Sequence, residues 1–348
     1  MRKKVTIQDI ADELGVSRNT VSKAINNSDG LAPATREKII QKAVEMNYKQ
    51  FSYVKTLAGI THSDLNLKDT APEYYGEIAL LTTQFLSQSH FSSLMLDTFQ
   101  KEVSQLGYTL NTHRVSPDNI ASMTLPITFK KDRVSAIMCI EMFDLEYDKM
   151  ICELGLPTLF IDGPIKKEGY SLPCDQLYMD NYVEVTRFVN DMLKRGKKKI
   201  GFIGNYEHCQ SFFERYTSYR LALLMANVEI EEKFVIKTND KQEIESRIAS
   251  LGELPDVFLC ENDFVAMDVM SALSKNGIRV PDDVMMCGYD DSPESRIMFP
   301  ALTTIHIHTQ VMAFSAMQML MSRIKEPTLD YRVLYTQCDL IYRASTGD

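Results

Sequence analysis

With 348 residues the chain is long enough for two or three domains, and its 45% apolar and 24% charged content excludes disordered and fibrous classes. No stretch approaches the roughly 18 uninterrupted apolar residues of a membrane span. The start, Met1-Arg2-Lys3-Lys4, runs into Gln8 and Asp9 rather than a hydrophobic signal core, so a cytoplasmic protein with no membrane contact is expected.

Seven cysteines (Cys139, Cys152, Cys174, Cys209, Cys260, Cys287, Cys338) are odd in number, scattered and never spaced CxxC. That pattern points to reduced, buried thiols rather than disulfides or a zinc site. No cofactor and no metal are expected.

The net charge of −9 is unevenly spread: residues 1–50 carry nine Lys/Arg against six Asp/Glu, whereas the remainder carries 29 against 41. A basic head on an acidic body directs any nucleic acid to the head.

Within that head, Ile7, Ile10, Ala11 and Leu14 recur at helical spacing, predicting a helix over 6–14 with Thr6 as its cap and Gly15 as its stop. Ser17 caps a second helix through about Ile25, whose Val21, Ala24 and Ile25 face inward and leave Arg18, Asn19, Ser22 and Lys23 outside. A third runs from Pro33, suited to a first helical position, to about Asn47. Two short helices about a Gly15-Val16 turn form a helix-turn-helix layout; any small helical bundle has the same periodicity.

From Gly76 onward short apolar runs alternate with amphipathic helices. Strands are predicted at Ile78–Leu81, Val134–Ile140 and Pro157–Ile161, with a helix carrying Met95, Phe99, Val103 and Leu106 between the first two. The pattern restarts at Leu177, with strands at Ile200–Ile203, Phe234–Ile236, Val257–Cys260 and Val284–Cys287. This is the mark of parallel βαβ units in two sequential Rossmann-like lobes, whose ligands bind at the carboxyl ends of the strands.

The run from Val5 to Asn27, VTIQDIADELGVSRNTVSKAINN, continued by Thr35-Arg36-Glu37-Lys38, resembles the head of the LacI/GalR family of transcription regulators. In the body, Asp180-Asn181, Glu214-Arg215-Tyr216, Glu261-Asn262-Asp263, Arg279–Val284, Gly288-Tyr289-Asp290-Asp291 and Leu302-Thr303-Thr304 resemble that family's periplasmic-binding-protein-like core. The resemblance implies a small all-α helix-turn-helix head plus an α/β two-lobed periplasmic-binding-protein-like (Rossmann-like) body. The domains expected are 1–49 for the head, 50–75 for a hinge helix and linker, and 76–348 for the body. Its first lobe would hold about 76–174 and 303–327, and its second about 175–302 and 328–348, with the chain crossing three times.

By the same resemblance the second helix enters the major groove of operator DNA, and Arg18, Asn19 and Lys23 match positions that face base edges. Arg or Lys can donate to guanine and Asn can pair with adenine. Lys23 stands where an arginine is usual and lacks its planar fork. Thr6, Ser17, Thr20 and Asn26 match phosphate contacts, and Leu57 matches a hinge leucine pressed into the minor groove, with an exposed linker leucine as the alternative reading. Gln50 and Phe51 replace a usual Pro-Asn, and the polar stretch 58–75 is longer than in the family.

Effector contacts carried over in the same way are Asp162, Arg215, Asn262 and Asp290, with Phe91 available to stack on a ring face. Carboxylates that accept from hydroxyls, beside guanidinium and amide donors, make a sugar-like set. Asp290 and Asn262 are also readable as helix caps or loop anchors. The implied function is a homodimeric repressor released from a palindromic operator by a small-molecule effector, a sugar or sugar derivative. A corepressor or a phosphoprotein partner would reverse the sign.

A solute-binding protein on the same fold is disfavoured by the helix-turn-helix where a secretory signal would stand. An enzyme is disfavoured because HExxH, GxSxG, a P-loop and a dinucleotide fingerprint are all absent. His306 and His308 share a strand face without neighbouring ligands and read as a satisfied pair.

Overall fold

A computed structural model describes residues 6–25, 31–46, 75–84, 90–166, 169 and 171–348. The chain divides into two units, Met1–Glu73 and Tyr74–Asp348.

The first unit contains helices α1 (Ile7–Leu14), α2 (Arg18–Ile25) and α3 (Pro33–Glu45). The Thr6 hydroxyl accepts from the Asp9 amide while the Asp9 carboxylate accepts from the Thr6 amide, a reciprocal cap that satisfies two end donors of α1. Gly15, at φ 64°, ends α1 in the left-handed region that glycine enters without steric cost. Ile10, Ala11, Val21, Ala24, Ile39 and Ala43 are buried together and form the small core of this unit.

The second unit runs β1 (Gly76–Thr82), α4 (His90–Gln105), β2 (Tyr108–Arg114), α5 (Pro117–Ser122), β3 (Val134–Ile140), α6 (Leu145–Cys152), β4 (Thr158–Ile161) and β5 (Asp175–Met179). It continues with α7 (Val183–Lys194), β6 (Ile200–Ile203), α8 (Gln210–Met225), β7 (Val235–Ile236), α9 (Lys241–Ser250), β8 (Val257–Cys260), α10 (Asp263–Lys275) and β9 (Met285–Cys287). It closes with α11 (Pro293–Ile297), β10 (Thr304–Ile307), α12 (Thr309–Lys325), β11 (Val333–Thr336) and β12 (Cys338–Ile341).

Among the described residues these strands form a six-stranded parallel sheet in the order β11-β5-β4-β3-β1-β2 and a four-stranded parallel sheet in the order β7-β6-β8-β9. An antiparallel pair, β10-β12, joins the second sheet through bridges from Cys287 to Thr303 and from Asp290 to His306. The central strands β3, β4, β6 and β8 are almost wholly buried apolar runs, as strands covered on both faces must be.

All three lobe boundaries differ from the sequence reading. The segment from 175 was expected to open the second lobe, yet β5 pairs with β4 and belongs to the first sheet; β11, also expected in the second lobe, lies beside β5. Conversely β10, expected in the first lobe, pairs with β12 beside the second sheet, and only α12 after it returns to pack along α4. The buried carboxylate of Asp175 explains the first correction. It accepts two bonds of 3.0 Å from Arg323 of α12 and one of 2.8 Å from the backbone N–H of Arg332, tying β5 to two distant segments of the first lobe. The chain therefore crosses between the sheets after β5, after β10 and after β11.

Strand β2 escaped the sequence reading because it is an edge strand with mostly polar, exposed side chains. Its buried His113 lies between Thr128 and Glu77, at 2.8 Å from each.

Candidate operator face and effector cleft

In the first unit, the Ser17 hydroxyl accepts from the Thr20 amide at 3.0 Å and starts α2. Val21 and Ala24 are buried against α1 and α3, so the helical period turns Arg18, Asn19 and Lys23 to the opposite, exposed face. Their donors and acceptors are solvated, which suits contacts made only when a duplex arrives. Thr6 and Ser17 are exposed and Thr20 is half-buried, but the hydroxyls of Thr6 and Ser17 already cap helices. Asn26 and Leu57 lie outside the described residues.

The body presents the contrary arrangement. Arg215, on the second turn of α8, is 3% exposed. Its guanidinium lies 3.5 Å from the centroid of the buried Tyr289 ring, donates through Nε to Asn181 at 2.9 Å and through Nη1 to the Glu261 carbonyl at 2.5 Å. Its Nη2 stands 3.7 Å from Asp290 Oδ1. Asn181 is held in turn by Glu214, whose other oxygen accepts from Gln210 and Tyr335. A guanidinium removed from water is thus oriented by four groups, from the chain after β5, β8 and β9, before any ligand is present.

Asp290 follows β9 at φ 109°, a backbone geometry rarely adopted by a residue with a side chain. Burial pushes its carboxyl up to about 7; Arg215 opposes that shift, while Asp263 and Glu141 add to it. Glu141 directly follows β3 of the first sheet, so the two sheets direct carboxylates toward a shared region.

The other expected contacts have more local duties. Asp162, at φ 60° after β4, accepts at one oxygen from the amides of Gly163 (2.8 Å) and Ser211 (3.1 Å), and so fastens the first sheet to the start of α8. Burial raises its carboxyl, and those bonds together with Arg215 pull it back. Asn262 caps α10 by accepting from the Val265 amide at 2.9 Å. Phe91 lies half-buried in the first turn of α4 against the large core cluster. Asp162 and Asp290 are thus each brought within electrostatic reach of Arg215. Asn262 adjoins them through the Glu261 carbonyl, and the described contacts of Phe91 are with the core.

The sequence reading did not assign Asn181, Glu214, Glu261 or Tyr289 to the site, although all four belong to runs it singled out. Glu261 carried the clearest signal, a charged residue placed directly after the buried run Val257–Cys260. His306 and His308 pair with Asp291 (3.0 Å) and Asp339 (3.2 Å) respectively. Among the described residues no cluster of three or more His, Cys, Asp or Glu is placed to hold a metal ion, and no helix is long and apolar enough to cross a membrane.

Comparison with known proteins adds two family matches: "Bacterial regulatory proteins, lacI family" over residues 6–50 and "Periplasmic binding protein-like domain" over residues 189–346. The chain is 27% identical over 351 residues to the HTH-type transcriptional repressor PurR of Mannheimia succiniciproducens, covering 98% of each. It is 27% identical over 346 residues to the protein of the same name from Vibrio vulnificus, covering 97% of each. Both relatives are named as repressors, not as enzymes. The fold is shared with a transcriptional regulator CelR-cellobiose complex (TM-score 0.65, 22% identity, 98% of this chain and 99% of that one). It is shared also with a lac repressor dimer bound to operator and the anti-inducer ONPF (TM-score 0.64, 21% identity, 99% of each).

Proposed function

Because this chain belongs to the lacI family of bacterial regulatory proteins and is a DNA-binding transcriptional repressor by its kinship, we propose that it acts as a cytoplasmic homodimer released from a palindromic operator by a sugar or sugar derivative. The observation that carries the effector half of this reading is the buried Arg215, held beside Asp290 at the carboxyl ends of the strands of the second sheet. A rigid guanidinium with carboxylates around it binds hydroxyls by paired donation and acceptance. It also rejects ligands that would leave those groups without partners.

Arg18 and Asn19 read base edges, and Lys23 adds a less discriminating donor. Thr6, Ser17, Thr20 and Asn26 set the register on phosphates, and Leu57 wedges the minor groove. Two heads on a two-fold axis match two half-sites, which is why a homodimer and a palindrome belong together. Effector binding between the sheets rotates one lobe on the other about the three crossings and disorders the hinge.

The test is a titration of candidate sugars into a labelled complex of the full chain with its operator. Weaker operator binding is expected; tighter binding would make the effector a corepressor, and no palindromic duplex preferred at moderate salt would remove the operator assignment.

A further inference from the structure

Two carboxyls among the described residues, Asp148 and Glu261, are buried without a hydrogen-bonded oxygen, and the one beside Arg215 is Glu261. It follows β8, is 0% exposed, and neither carboxyl oxygen has a hydrogen-bond partner. The Asn205 backbone and the Asn239 amide lie close enough to favour its ionised form, yet neither completes a bond to it. A buried carboxyl left this way costs stability unless something else uses it.

Its place in the fold says what that is. The side chain packs over Gly204, where a Cβ would come within 2.5 Å of both the Cβ and Oε2 of Glu261, so the end of β6 leaves room for this carboxyl. The Glu261 carbonyl is the acceptor for Arg215 Nη1, and the charged groups facing the carboxyl are Arg215 from α8 and Asp290 from the loop after β9. Burial pushes the acid up to about 8, with Arg215 opposing and Asp290 adding to the shift. Arg215 is also approached by Asp162 and Asp290, Asp290 in turn by Glu141, and Asp162 by Lys166, so acids and bases from several strand ends share this region.

We propose that Glu261 is a specificity-determining residue of the effector cleft, accepting a hydrogen bond from a donor nitrogen of the effector, and that the cleft takes amine-bearing sugars in preference to phosphorylated ones. The proposal rests on the effector-cleft reading above. An ammonium group entering the cleft favours the ionised carboxylate, so Glu261 gives up its proton as the cation binds. A phosphate offers Glu261 no donor nitrogen and favours its protonated form, so phosphorylating the sugar gains nothing at this carboxyl.

The test uses the full chain with glucose, glucosamine, glucose 6-phosphate and adenine as probes, each measured by calorimetry in two buffers of different ionisation heat. Glucosamine should bind about ten-fold more tightly than glucose, equivalent to one unit of pKa, and glucose 6-phosphate should bind more weakly than glucosamine. Binding of glucosamine should release a proton and strengthen from pH 6 to pH 8. Glu261→Gln should remove both the proton release and the preference for the amine. The proton count and the pH dependence come from the unaltered protein, so they judge the proposal even if the variant fails to fold.

Glucose 6-phosphate binding best, or glucosamine binding without proton release, would overturn the role of Glu261 while leaving a sugar effector in place. Adenine binding without any sugar would overturn the sugar reading, and Glu261 would stand only if Glu261→Gln then weakened adenine about ten-fold. Silence across all four probes would overturn both.

Discussion

On the proposed assignments, the head and the body recognise their ligands by opposite means. In the head the proposed reading side chains Arg18, Asn19 and Lys23 are exposed on a helix backed by a small core, six buried residues among those described. In the body the reading groups are withdrawn from water: Arg215 lies over Tyr289 and is bonded on two sides before any ligand arrives. A solvated reader loses little when unbound, so its discrimination comes from good geometry against the right base. A buried reader is costly when unmatched, so its discrimination comes from refusing ligands that leave it unpaired. A small core also makes the head the more fragile scaffold.

The largest test of that difference is Ile10→Ala. Ile10 is fully buried in the head, and truncation should cost about 2–5 kcal/mol, a large part of what so small a unit has. Operator binding should be lost, while the calorimetric transition of the body keeps its midpoint; a shift of both transitions together would show that the two units do not melt separately.

Next in size is Asp290→Ala, which removes the carboxyl that stands 3.7 Å from Arg215 Nη2. The ratio of operator affinities with and without effector should fall to one. A retained ratio would remove Asp290 from the cleft. Arg18→Ala comes third. Preference at one or two operator positions should weaken by about 1–3 kcal/mol, and a uniform loss across all sequences would make Arg18 a phosphate contact instead.

The smallest effect is a pH dependence confined to the body. Glu261 has its folded-state pKa raised from 4.5 to about 8, so between those values the folded chain binds more protons than the unfolded one. Its contribution to stability is therefore complete below pH 4.5 and is lost as pH rises toward 8. Glu261→Gln should flatten the decline in melting temperature over that window; an unchanged slope would show that the carboxyl is already ionised at neutral pH.

Much of both regions was legible from local pattern. Thr6, Gly15 and Ser17 marked the helix ends, and the apolar period placed Arg18, Asn19 and Lys23 opposite the core. The buried runs Val134–Ile140 and Val257–Cys260 announced strands covered on both faces. What escaped had no local signature. Strand β2 shows solvent most of its side chains, and Asp162 and Asn262 spend oxygens on neighbouring backbone amides in a way residue type alone does not reveal.

The amino-acid order by itself determined the kinds of elements, their caps and the face that α2 turns outward, because those depend on residues three or four positions apart. The tertiary structure alone decided that β5 and β11 join the first sheet, a choice carried by Asp175 and Arg332, which are 157 positions apart. It alone decided that Glu261 ends up dry and without a bonded carboxyl oxygen, since partnership for a buried carboxyl depends on which distant strand ends the packed fold sets around it.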